Sequence, residues 1–357
     1  MMTERFAAQL LSGEPARSPA EVVRQLLAVQ GQDPRGARLA VRARSAGLAA
    51  ADVDRALTGD RSLVITWLNR GTLHLVTSDD YWWLHALTTP QLRAASARRL
   101  AQEGVPPADA DRGVATIESA LADGPLTRGQ LADRIAAAGV RTQGQALVHL
   151  LLLASIRGLV VRGPMTGREH AYALVSDWLG APPKPLDRDV ALADLARRYL
   201  AGHGPASDRD LAKWAGLPLR DARHGLTSIA GELAQRHDGL VSLADRSRAA
   251  DRMRDARRPR AASLPPPRLL GAFDPLLLGW TSREPVLGSY QGIVTVNGIF
   301  RPFALVRGKA VATWTIRGGE VALSPLTRLS GPDEAALRAD AADVIRFLAI
   351  PRAPGHH

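Results

Sequence analysis

Apolar positions recur at helical spacing through residues 20–30, Ala-Glu-Val-Val-Arg-Gln-Leu-Leu-Ala-Val-Gln, and Ser18-Pro19 signals an N-cap and first turn. Pro34 disfavours helical geometry at Asp33, so the pattern predicts that this helix stops near Gly31 or Gln32. Helical spacing resumes over 36–46, with Leu39, Val41 and Ala43 inward, and again over 50–57. The pattern then turns β-rich. Leu63–Leu68 and Thr72–Val76 are separated by Asn69-Arg70-Gly71, which reads as a hairpin. A helix over 78–101 follows and carries Trp82, Trp83 and His85. Helices followed by a hairpin make a winged-helix pattern.

Two further units repeat it. The second has helices over 109–121, 126–135 (capped by Thr127) and 144–156. Two strands, 159–163 and 172–175, then flank a wing that runs from Gly163 to Arg168. The third follows the linker Ala181-Pro182-Pro183-Lys184-Pro185, with helices over 190–200, 208–214 (capped by Ser207) and from 221. Gly124-Pro125-Leu126-Thr127 and Gly204-Pro205-Ala206-Ser207 open equivalent helices, an internal repeat. An arginine- and proline-rich stretch, including Arg252–Arg260, reads as a basic linker. Strands are expected over 268–272, 292–296, 301–306, 310–316 and 320–326, with turns at Asn297-Gly298 and Arg307-Gly308-Lys309 and a closing helix over 333–348. The predicted class is α+β: three tandem winged-helix (helix-turn-helix) units and a C-terminal β-barrel. The expected boundaries are 1–105 (with the elbow and following helix), 106–185, 186–262 and 263–357.

Composition narrows the function. Hydrophobic residues make up 46% of 357, enough to bury a sizeable core. There are 46 basic and 35 acidic residues, a net charge of +11. Lysine occurs only at 184, 213 and 309, so nearly all the positive charge is arginine, whose planar fork suits phosphate and base edges. A GC-rich genome accounts for arginine over lysine but not for the basic excess, which points to a polyanion, nucleic acid first. The absence of cysteine excludes disulfides, thiolate metal sites and cysteine nucleophiles. No apolar run reaches the roughly 18 residues of a membrane span, and the N-terminus lacks a signal-peptide core, so a cytoplasmic protein without membrane association is expected. No metal-ligand spacing, nucleophile motif or phosphate loop is present, and no metal or cofactor is expected.

The stretch Val29-Gln30-Gly31-Gln32-Asp33-Pro34-Arg35 concentrates two amides and a carboxylate at a chain reversal. It reads either as a site or as a solvated polar helix end. Asp33 is either an electrostatic catalyst or a cap for the next helix. Arg35 and Arg38 suit phosphate contacts. Arg307 and Lys309 stand on a hairpin tip, either as a groove probe or as an ordinary charged turn. His74 reads as a structural histidine within reach of the same cleft, His149 as core, and Trp82 and Trp83 as core-boundary residues more than base-stacking ones.

Taken in order, this elbow, Trp67-Leu68-Asn69-Arg70-Gly71-Thr72-Leu73-His74-Leu75-Val76, Phe273-Asp274-Pro275-Leu276-Leu277-Leu278-Gly279 and Asn297-Gly298-Ile299-Phe300-Arg301-Pro302 resemble the winged-helix DNA glycosylase family. The resemblance covers nearly the whole chain. It implies the three winged-helix units and barrel, and carries the catalytic glutamine pair over to Gln30 and Gln32. A related branch has Asp at the second position; Gln32 places this chain with the crosslink-unhooking, self-resistance branch. The implied reaction is hydrolysis of N7-alkylated purine nucleotides, bulky adducts and interstrand crosslinks included, in double-stranded DNA, with Gln30, Gln32 and Asp33 catalytic and the protein acting as a monomer. The elbow has no nearby lysine, which disfavours a Schiff-base lyase and predicts a monofunctional enzyme. The rival reading is a non-catalytic winged-helix DNA-binding protein or transcription regulator.

Overall fold

Ser18 opens the first long apolar helix by accepting the Glu21 amide on its Oγ at 3.1 Å. Pro19 occupies the first turn, where a missing N–H costs nothing. The computed structural model describes residues 1–167, 169–244, 264–290 and 292–350. Arg168 of the second wing and the basic run Arg252–Arg260 lie outside them. The described chain is α+β and packs as two units.

One unit comprises Met1–Val53, Leu192–Trp214 and the described residues from Pro218 onward. Its first apolar helix ends at Leu26, not near Gly31 or Gln32 as the spacing suggests. Leu27 has φ 65° and breaks the helix, and the Ala28 amide folds back on the Leu26 carbonyl at 2.8 Å. A non-glycine residue there costs roughly 1–2 kcal/mol, offset by complete burial of the Leu27 side chain. Val29–Gln30 is consequently extended. The next helix, Pro34–Arg42, turns Leu39 and Val41 into the core, and Ala43 just beyond it is buried too.

The C-terminal strands of this unit run in the order Arg268–Leu270, Phe303–Val306, Lys309–Arg317, Glu320–Pro325, all antiparallel. The expected barrel is not closed: the first and last of these strands are both edges. The stretch expected as a strand over 292–296 supplies only a bridge between Val294 and Phe300. The helix Gly331–Phe347 lies against both edge strands and buries Leu337, Val344 and Phe347. A helix thus covers the apolar face that barrel closure would otherwise have buried. A short hairpin, Leu233–Gln235 with Val241–Leu243, which the sequence did not signal, completes the unit.

The other unit comprises Asp54–Ala191 and Ala215–Leu217. The hairpin Leu63–Leu68/Thr72–Thr77 forms where expected, with Asn69 at φ 54° and Gly71 at φ 78° in its turn. It does not stand alone. Ile65 pairs with Arg162, joining this hairpin to the second one, Val160–Thr166/Glu169–Leu174, in one antiparallel sheet. Leu63–Leu68 is buried at every position, as a central strand must be. The helix expected over 78–101 is two, Ser78–Thr88 and Leu92–Gln102. Pro90 has no N–H to donate and its ring crowds the preceding turn, so the first helix stops at Thr88. The helix Arg128–Ala137 opens on a reciprocal capping box between Thr127 and Gln130. No helix of the described residues is long and apolar enough to cross a membrane.

Candidate active site

The elbow begins with Gln30 in the short extended segment and ends at the first turn of Pro34–Arg42. Gln30 is 6% exposed, whereas Gln32 is exposed. The two side chains meet: Gln30 Nε2 donates to Gln32 Oε1 at 2.6 Å. Gln30 Oε1 is buried and has no hydrogen-bond partner among the described residues. An uncompensated buried carbonyl costs about 1–3 kcal/mol, so this acceptor is poised for a water or a substrate donor.

Asp33 is the N-cap of the helix, its Oδ1 accepting the Gly36 amide at 2.6 Å. The cap reading is therefore realised, and it fixes the carboxylate one residue from Gln32. Arg35 is exposed and makes no hydrogen bond or ion pair to any described residue. Arg38 donates to the Pro34 carbonyl at 2.8 Å, which holds its guanidinium over the first helical turn.

The helix is anchored at both ends. At its start, a Cβ on Gly36 would overlap the Ala272 carbonyl oxygen, and a Cβ on Gly271 would sit 2.9 Å from Leu39 Cβ. Two glycines let the backbones meet. At its end, Arg42 donates to the Leu269 carbonyl at 3.1 Å and pairs with Asp340 and, at 2.9 Å, Asp343. Just beyond, Arg44 is fully buried and forks onto Asp274 at 2.9 and 2.8 Å, with Gln9 Oε1 accepting a third bond at 2.9 Å. Asp274 also accepts the Leu276 amide at 2.9 Å, capping the 3-10 turn Pro275–Leu277. The Phe273–Gly279 motif therefore acts as a socket for the elbow's helix. Sequence reasoning missed Gln9, Arg42 and Arg44 as positioning residues. Asp274-Pro275 was a legible cap signal, but arginines two apart after an apolar run look like surface residues.

The other candidates sit elsewhere or do other things. Arg307 forks onto Asp333 at 3.1 and 2.8 Å while its side chain stays 70% exposed. Lys309 donates to the Pro285 carbonyl at 2.8 Å. In the other unit, His74 is 4% exposed with Nδ1 2.8 Å from the Thr72 carbonyl. Burial, and then Arg70, push its pKa down to about 3, so it is neutral near pH 7. His149, expected in the core, is half-buried on its helix. Trp82 and Trp83 are half-buried, as boundary residues.

Against known proteins, residues 23–347 match the family described as DNA glycosylase AlkZ-like. The chain is 27% identical, over 98% of its length and 96% of the relative's, to a Streptomyces sahachiroi protein named interstrand DNA cross-link repair glycosylase. Its structure superposes on Streptomyces sahachiroi DNA glycosylase AlkZ with a TM-score of 0.77, at 26% identity, covering 99% of this chain and 97% of that one.

Proposed function

The chain belongs to the AlkZ-like DNA glycosylase family and is a DNA glycosylase, and from that premise we propose that it hydrolyses N7-alkylated purine nucleotides in duplex DNA, interstrand crosslinks included, through the Gln30–Gln32 pair. The observation that carries this reading is the buried, unpartnered Gln30 Oε1 beside an amide pair already locked by a 2.6 Å hydrogen bond.

Alkylation at N7 leaves the purine cationic, so the C1′–N9 bond breaks with its electron pair going to the base and no protonation is required. What remains to be done is to stabilise an oxocarbenium-like sugar and to place water at C1′. Gln30 Oε1 accepts one water O–H and aims its oxygen; Gln32, exposed, presents its amide NH2 to the water or to a phosphate. Glutamine is a poor base, so the gain comes from positioning. Asp33, held by its own cap, keeps a negative charge beside the developing cation. Water adds to C1′, loses a proton to solvent, and leaves an abasic site. No cofactor takes part.

Arg35 and Arg38 contact phosphates next to the elbow, and Arg307 and Lys309 meet the duplex from their hairpin. The three helix-plus-hairpin segments, with hairpins at 63–77, 160–174 and 233–243, act as tandem winged-helix modules on DNA, and the protein works as a monomer in repair or self-resistance. Release of base from N7-methylated duplex, and unhooking of a crosslinked duplex, test the reading. Gln30→Ala and Gln32→Ala should each slow base release about 100-fold with little change in DNA affinity. Equal rates for wild type and both variants would remove the glutamines from catalysis.

A further inference from the structure

The unit that contains Asp54–Ala191 holds a cavity of about 480 Å³ that the elbow chemistry does not use. One wall is the helix Ser78–Thr88, which presents Trp82, Trp83 and His85; the other is the proline-rich segment that contains Pro183, Lys184 and Leu186. Its volume falls within the roughly 300–1,000 Å³ of small-molecule sites.

The aromatic wall is held from behind. Trp83 Nε1 donates to Asp80 Oδ1 at 3.0 Å, and Asp80 accepts the Thr77 hydroxyl at 2.7 Å. Trp82 packs edge-on against Tyr81 at 5.1 Å, and His85 stacks on Tyr81 at 5.2 Å with Nε2 2.9 Å from the Ser155 carbonyl. Burial lowers the His85 pKa, so the ring adds no charge to the wall at neutral pH. Prolines with fixed φ form the opposite side, so little order has to be gained on binding. Lys184 is exposed and makes no hydrogen bond or ion pair to any described residue, and Arg188 also lines the cavity.

Two indoles, apolar and proline walls, and two cations that outnumber the one carboxylate of the lining, Asp79, complement a planar base carrying a phosphate. We propose that this cavity is a purine-nucleotide subsite, with the base against Trp82 and Trp83 and the phosphate on Lys184 and Arg188. Stacking of this kind weakens by about 5- to 100-fold when the aromatic is removed.

The full-length protein is titrated with deoxyguanosine monophosphate, and separately with a duplex bearing a purine single-stranded overhang, while tryptophan fluorescence is followed. Saturable quenching is expected, weakened about tenfold in Trp82→Ala and Lys184→Ala. Saturation by the mononucleotide identifies a free nucleotide as the source; saturation by the overhang alone identifies a strand of DNA. Trp82→Phe should bind with intermediate affinity, which separates lost stacking from a damaged fold. Base release from alkylated duplex, read in the same variants, should stay at the wild-type level and reports the elbow independently. Absence of saturation with both probes, variants that titrate like wild type, or equal binding of thymidine monophosphate would overturn the proposal.

Discussion

In the proposed reaction Gln30 acts through one atom, and part of its surroundings is already committed. Its Nε2 is taken by Gln32, and Asp33 Oδ1 is taken by the Gly36 amide, while Gln30 Oε1 is buried with no partner among the described residues. Asp33 can be separated from its cap by one substitution. Asn caps about as well as Asp, so Asp33→Asn should leave the denaturation midpoint unchanged while lowering base release about tenfold. Unchanged base release would restrict Asp33 to capping. Asp33→Ala should in addition lose about 1 kcal/mol of stability. Buried histidines contribute to the response to acid. His74 and His203 are both buried, and burial brings each pKa down to about 3. Both are neutral in the folded protein and protonate near pH 6.5 once unfolded. Their contribution is therefore complete above about pH 6.5 and is lost as pH falls toward 3. These two residues should contribute about 2.7 kcal/mol per pH unit to the decline between about pH 6 and pH 4, and His85, also lowered by burial, adds in the same direction. Urea melts across that range measure the slope, which should drop by about 1.4 kcal/mol per pH unit in His74→Gln.

At the scale of elements, the helix Pro34–Arg42 is the part on which the site depends. Its capping was one of the two roles the sequence allowed Asp33, since Asp-Pro before an apolar run suits an N-terminus. Its neighbour was not. The periodicity of residues 20–30 continues past Leu26, but Leu27 leaves the helical region with its side chain fully buried. Local spacing carries no record of that burial, and so an extended Gln30 was hidden. Gly36 also looked like a mere helix starter. Its role is to let the backbone approach Ala272. Gly36→Ala should cost roughly 1–3 kcal/mol and reduce base release, since the elbow must move with the displaced turn. Gly129→Ala, where a Cβ meets only the Thr127 hydroxyl at 4.0 Å, is the matched control and should be neutral or slightly stabilising. Denaturant midpoints and single-turnover rates on alkylated duplex distinguish the two.

The molecule as a whole carries a net charge of +11, almost entirely as guanidinium groups. Phosphate contacts release counterions, each adding about 0.9 to the slope of log affinity against log salt. Duplex affinity should therefore fall steeply between about 50 and 200 mM salt, while the rate from the bound complex changes little, because the amide pair is neutral. Filter binding and single-turnover kinetics at matched salt check this; a flat affinity profile would contradict a charge-led encounter. The two hairpins of the second unit were each legible as hairpins, yet their union through Ile65 and Arg162 was not. Sequence spacing defines a strand's own alternation and turn, but not which distant strand satisfies its other edge.

What the sequence determined by itself is what short-range physics encodes. The N-caps at Ser18, Thr127 and Ser207, the hairpin turn at Asn69–Gly71, the basic excess and the ordered motifs of a DNA glycosylase family are all written in neighbouring residues. Tertiary structure alone decided the rest. It ended the first helix at Leu26, left the C-terminal sheet open under a helix, and buried Arg44 against Asp274. It also locked Gln30 to Gln32 with one carbonyl unpartnered. Each of these depends on contacts between residues remote in sequence or on the burial of a particular atom, and only the packed chain weighs those energies against local preference.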